Sequence, residues 1–120
     1  MDREIKFRGF DFHMHEWVYG GYYKDIRGKE YIVERMTIVD KIKSGTIGEF
    51  TGFTDIDGKD IYEGDFIQSE DRPDLIYRVE MVGGCWSVDR VILNCLLDMA
   101  PFKVIGNIHD NPELCKNLRG

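Results

Sequence analysis

Apolar and polar residues alternate singly through much of this chain, and glycine or aspartate breaks the alternation at short intervals. In Glu4-Ile5-Lys6-Phe7-Arg8-Gly9-Phe10, Ile5 and Phe7 point one way and Lys6 and Arg8 the other. That period of two predicts a half-buried strand. Glu16-Trp17-Val18-Tyr19 and Tyr22-Tyr23 carry β-forming residues on either side of Gly20-Gly21, which marks a bulge or bend. Asp25-Ile26-Arg27-Gly28 is a turn, residues 30–40 are again β-rich, and Lys43-Ser44-Gly45 is a loop. Further on, residues 75–82 read as one strand, Gly83-Gly84 as a hairpin turn, Cys85-Trp86-Ser87-Val88 as the return strand, and residues 102–108 as a last strand. Residues 91–99 are apolar, and periodicity leaves a short helix and a buried irregular segment equally open. Asn111-Pro112-Glu113 spells a helix start: an N-cap, a proline at the first helical position and an acid in the first turn. Leu114 and Leu118 would share a face of that helix, with Lys116 and Arg119 at its C-terminal end. About five short strands between residues 48 and 108, with tight turns and little helix, predict a small antiparallel barrel. No internal repeat stands out.

The most distinctive stretch is TGFTDIDGKDIYEGDFI, residues 51–67. Strand-like alternation enters it at Phe50 and resumes at Ile61-Tyr62. Asp55-Ile56-Asp57-Gly58 between them suits a type I turn whose glycine takes positive φ. The Asp55 side chain is placed to accept from a backbone N–H two residues on. A calcium loop of the EF-hand kind needs glycine at its sixth position and glutamate at its twelfth. Counted from Asp55, glycine falls fourth and Phe66 twelfth, so Asp55, Asp57 and Gly58 read as turn residues, followed by a second turn at Gly64-Asp65.

Composition narrows the picture. A chain of 120 residues is one domain, here with an elaborated arm, and can bury a core without staples. A formal net charge of −6 disfavours adsorption to nucleic acid or anionic membrane. Neither a membrane-spanning run nor a signal peptide is legible, which leads us to expect a cytoplasmic protein. Cys85, Cys95 and Cys115 are odd in number and lack CxxC spacing, as reduced thiols do. Their apolar neighbours predict small core residues rather than nucleophiles.

Three segments, REIKFRGFD at the start, FTGFTDIDGKDIYEGDFI in the centre and VIGNIHDNPEL near the end, resemble the YopX protein family of bacteriophages and prophages. The resemblance runs from Arg3 to Leu114, with the central motif the most specific part and residues 69–100 the least. It implies a mainly β fold in which an N-terminal β-arm, residues 1–47, leads into an SH3-like small barrel, residues 48–110, closed by a short helix, residues 111–120. It implies no activity, and neither does the fold.

Few residues carry candidate chemistry. His13 and His15 lie two apart, so on a strand they and Asp11 would share one face and both imidazoles would reach one metal ion. His109 is the remaining histidine, far off in sequence. No nucleophile elbow, HExxH, P-loop or dinucleotide fingerprint is present. Asp60, Glu63 and Asp65 read as solvated turn acids rather than a catalytic pair. Arg3, Lys6 and Arg8 on one face of the first strand, followed by tyrosines, are the one feature that suits a nucleic-acid strand. Trp17, Tyr19, Tyr22 and Tyr23 form the expected interaction surface: few charges guard this span, and an unguarded strand edge invites pairing with another copy. The expectation is a non-catalytic phage or prophage accessory protein that binds protein partners and itself, without a cofactor. Nucleic-acid binding is the second reading and a metal at His13 and His15 the third.

Overall fold

The computed structural model describes residues 4–88 and 91–117. It is mainly β, built of antiparallel hairpins, and divides into two compact units, Met1–Phe50 and Thr51–Gly120. The division falls three residues beyond the expected end of the arm. The described part of that arm, residues 4–47, is therefore part of a packed unit rather than a free lead-in.

In the first unit, β1 (Phe7–Asp11), β2 (Glu16–Lys24), β3 (Glu30–Glu34), β4 (Thr37–Val39) and the start of β5 (Gly48–Thr54) form one antiparallel sheet in the order β4-β3-β2-β1-β5. The nine-residue β2 is central. Its residues 16–20 pair with β1 and its residues 21–24 pair with β3. The change of partner falls at Gly20-Gly21, where the backbones approach so closely that a Cβ on Gly20 would meet the Val33 carbonyl, with the carbonyl carbon 2.9 Å away. The sequence break is thus a crossing point inside one strand. Within the expected edge Trp17–Tyr23, residues 17–20 pair with β1 and residues 21–23 with β3, so each half is paired along one side.

The first strand keeps the predicted faces, with Phe7 and Gly9 on one and Arg8 on the other, but not the predicted burial. Ile5 lies before β1 and is 70% exposed, while Arg8 is 6% exposed. The inward position in this strand belongs to Gly9, whose missing side chain leaves room for Ile47, Ile42 and Ile32 beneath it, the nearest 3.0 Å from where a Cβ would stand. Arg8 lies on the opposite face with its guanidinium 4.8 Å over the Trp17 ring. An arginine stem is apolar enough to be covered when an aromatic face takes the charge. Ile32, fully buried, and Val18 complete this small core.

The second unit contains the end of β5, β6 (Asp60–Tyr62), β7 (Asp65–Ser69), β8 (Ile76–Arg78), β9 (Glu80–Val82), β10 (Cys85–Val88), β11 (Val91–Ile92), helix α1 (Leu93–Met99), β12 (Phe102–Asn107) and a 3-10 helix, Pro112–Asn117. Two three-stranded sheets, β12-β7-β8 and β11-β10-β9, are separate ladders, and the described strands do not close a barrel. The strand expected over 75–82 is two strands divided at Val79. That residue is fully buried and donates its N–H to the Asp65 carbonyl, 2.9 Å, so β8 serves β7 and β9 serves β10. Ile61, Ile67, Val79, Trp86, Val88, Leu93 and Phe102 form the core. The open question over residues 91–99 resolves into β11 and α1, with Leu93 buried and Leu96 and Leu97 packed on that core.

The terminal helix begins where expected but is of the tighter 3-10 kind. The Asn111 side chain does not cap it. Its Oδ1 turns back to accept from the Asn107 N–H, 3.2 Å, over Gly106, where a Cβ would stand 2.7 Å from the Asn111 Cγ. The pairing of Leu114 with Leu118, and the placement of Arg119, fall outside the described residues. Among the described residues no helix is long and apolar enough to cross a membrane.

Candidate functional site

The acids are turn-makers first. Asp55 Oδ1 accepts from the N–H groups of Asp57 and Lys59, both 2.9 Å, while Asp55 N–H donates to the Lys59 carbonyl, 2.8 Å, and Gly58 N–H to the Asp55 carbonyl, 3.0 Å. Gly58 sits at φ +83, the left-handed region that glycine enters without penalty. Asp25-Ile26-Arg27-Gly28-Lys29 makes the same turn. Arg27 and Lys29 donate to Asp25 Oδ1, both 2.9 Å; Asp25 N–H reaches the Lys29 carbonyl, 2.9 Å, and Gly28 N–H the Asp25 carbonyl, 3.0 Å; Gly28 is at φ +86. DIRGK and DIDGK are therefore a local repeat that the alternation conceals, because the residues flanking the two turns differ. Elsewhere, Asp11 Oδ1 accepts from His13 and Met14, and Asn107 Oδ1 from His109 and Asp110. The buried Asp65 accepts from the Tyr62 N–H, 2.7 Å, and its neighbour Gly64, at φ +90, ties two loops: its N–H reaches the Val79 carbonyl and its carbonyl takes the Ile108 N–H.

These commitments bear on the metal reading. His13 and His15 lie in the turn between β1 and β2, not on a strand, so the alternation that would align them does not apply. His15 takes φ +56 and sets its ring edge-on to Phe10, 6.5 Å between centroids. Asp11 spends its carboxylate on backbone donors. Among the described residues no cluster of three metal-ligand side chains forms.

The predicted aromatic surface is divided by the sheet. Trp17, Tyr19 and Tyr23, two and four residues apart along β2, lie on one face, and Tyr22 lies on the other. Tyr22 stacks on Phe7, 5.4 Å, and donates its hydroxyl to Glu30 Oε2, 2.7 Å. That bond to an anion favours the neutral phenol and raises its pKa above the ordinary tyrosine value, with burial and the Glu30 charge adding to the rise. On the first face, Phe10 and Arg8 cover Trp17, whereas Tyr23 remains 57% exposed beside Tyr31, 5.6 Å. The residues that extend this face, Val33 and its β4 partner Ile38, sequence reasoning did not single out. Ile38 is 65% exposed, and Met36, in the hairpin tip, is 98% exposed. The signal was legible in Tyr31-x-Val33 and in Ile38 as a second period-two row, but alternation alone does not say which row is outside. Tyr31 donates to Asp25 Oδ2, 2.9 Å, and that bond raises the Tyr31 pKa; the Lys29 N–H, first, and the Tyr31 hydroxyl lower that of Asp25.

The basic stripe is not presented as drawn. Arg8 is covered by the Trp17 contact, Lys6 lies 4.8 Å over the Phe50 ring and 3.4 Å from Glu4, and Arg3 is outside the described residues. The three cysteines are exposed, contrary to their expected place in the core. Cys85 stands on a face of β10 that its neighbours Trp86 and Val88 do not share in the core, and Cys95 is on the outer side of α1. Apolar neighbours in sequence do not make a position interior when every second residue faces out. A shallow cleft of about 430 Å³ in the second unit, between Thr54-Asp55-Ile56 and residues 97–102, gathers no pairing of nucleophile and base.

Two small units of antiparallel hairpins, with turn-bound acids and one exposed apolar sheet face, define a mainly β protein. Residues 6–116 match the model of the family described as YopX protein, nearly the whole chain, and the chain belongs to that family. It is similar in fold to the crystal structure of protein EF1440 from Enterococcus faecalis, at a TM-score of 0.63 and 22% identity, over 94% of this chain and 99% of that one. No curated protein matches.

Proposed function

We propose that this is a phage or prophage accessory protein that acts by binding another protein through the outer face of its first sheet, without catalysis of its own. The observation that carries the reading is the pair of exposed cross-strand contacts, Tyr23 with Tyr31 and Val33 with Ile38, continued by Met36. Apolar rows of this kind gain about 25 cal/mol for each Å² a partner covers. The turn-bound carboxylates support the absence of catalysis, since an acid that satisfies backbone donors is not poised to move protons. The second unit, with its short bent strands around one core, is on this reading an open relative of the SH3-like barrel that serves as scaffold.

Affinity capture from induced host cells tests the proposal. Wild-type protein should retain a specific partner that the Val33→Glu, Ile38→Glu variant loses while keeping its circular dichroism spectrum. Retention by the variant would refute the surface. The expected self-association through Trp17–Tyr23 would use the same sheet, whose outer strand is β4; light scattering at micromolar concentration reads it as a mass above one chain.

A further inference from the structure

The two DIxGK turns are one device used twice, and only one is occupied. At residues 55–59 the turn holds an extended segment of its own unit: Ile56 N–H donates to the Phe102 carbonyl, 3.0 Å, and Asp55 Oδ2 accepts from the Val104 N–H, 2.9 Å. Phe102-Lys103-Val104 is thus gripped by the carbonyl of its first residue and the amide of its third. At residues 25–29 the internal hydrogen bonds and the glycine conformation are the same. Yet Ile26 is fully exposed, and among the described residues nothing accepts its N–H.

We infer that the turn at 25–29 is a docking site for an extended segment of a partner protein, held as Phe102–Val104 is held at the other turn. This rests on the binding role proposed above and names the kind of segment bound. A carbonyl would take the Ile26 N–H, and an amide two residues on would reach Asp25 Oδ2. That oxygen accepts the Tyr31 hydroxyl now, and a carboxylate oxygen has lone pairs for both. This is main-chain recognition of the kind that extended peptides use at sheet edges.

Charge selects the middle residue of the segment. At the occupied turn the middle of the held segment, Lys103, has an acid beside it, Glu70 Oε1 at 3.9 Å from its Nζ. At the open turn the third position is Arg27, flanked by Lys24 and Lys29. The matching segment therefore reads apolar, acidic, apolar. Exposed opposite-charge pairs are weak, so the acidic segment should bind about threefold tighter than its basic counterpart.

The test is an amide-resolved NMR titration of the full chain with two blocked heptapeptides, one centred on Phe-Glu-Val and one on Phe-Lys-Val. The Ile26 and Arg27 amides should move saturably, with the Phe-Glu-Val peptide the tighter, and Arg27→Asp should reverse the order. Tyr31→Phe, which frees Asp25 Oδ2, should bind at least as well as wild type. An Ile26 amide unmoved at millimolar peptide, or equal affinity for both peptides, would overturn the inference. Shifts confined to Tyr23, Val33 and Ile38 would overturn it too while leaving the sheet-face reading intact. Shifts at Ile26 that survive Val33→Glu, Ile38→Glu would uphold the docked turn apart from that face.

Discussion

Replacing Asp55 by alanine, and separately Asp25 by alanine, makes the same chemical change in two copies of one turn. Each carboxylate holds two turn amides through Oδ1, so each variant loses two local hydrogen bonds. Those amides belong to exposed residues, and water replaces the lost acceptor at roughly 0.5–1 kcal/mol for the pair. The second oxygen separates the two positions. Asp55 Oδ2 takes the Val104 N–H, a strand amide on the inner side of the turn, and Asp55 itself is buried. An amide stranded there costs about 1–3 kcal/mol, and a carboxylate acceptor puts it toward the upper end. Asp25 Oδ2 takes only the Tyr31 hydroxyl, which can turn to water. The expected loss is about 2–4 kcal/mol for Asp55→Ala and clearly smaller for Asp25→Ala. Asp55→Asn keeps Oδ1 but points an amide donor at the Val104 N–H, so it should cost nearly as much as alanine. Urea unfolding measures all three, because Trp17 lies in the first unit and Trp86 in the second and their fluorescence follows each. Equal losses at Asp25 and Asp55, or an Asn variant as stable as wild type, would refute the claim that the turn at 55–59 is fastened to β12.

Gly20→Ala should destabilise the first unit by roughly 2 kcal/mol or more in the same assay, because the new methyl meets the Val33 carbonyl, a backbone group that cannot swing aside. A neutral substitution would show that β2 and β3 are not so close there. Tyr22 should ionise above the ordinary tyrosine range in an ultraviolet titration, and Glu30→Gln should bring it down. Since the folded pKa is the raised one, the stabilisation from this bond is whole below about pH 10 and is lost as pH rises through the folded value. All three cysteines should react with a thiol reagent in the native protein without denaturant; thiols that react only after unfolding would contradict their exposure.

Much of this protein is written locally. An aspartate that bonds the amides two and four residues on, with glycine at the left-handed position, makes its turn whatever surrounds it, and so both DIxGK turns, the Gly83-Gly84 hairpin and the mainly β character follow from the sequence by itself. The family follows as well, since its central motif consists of those turn residues. What the sequence left open was always a choice of side. Period two says that Arg8 and Gly9 face opposite ways, but only Ile42, Ile47 and Ile32 closing over Gly9 decide which is in. The same blindness put the cysteines inside and grouped Tyr22 with Tyr23, although neighbours in a strand never share a face. The turns make the same point: the two differ only at Arg27 and Asp57 over five residues, and only the distant return of Phe102–Val104 occupies one and leaves the other open. Hydrogen bonds that close within five residues are set by the chain's own covalent geometry. Those that close across 49 residues depend on where packing of the core brings the chain back.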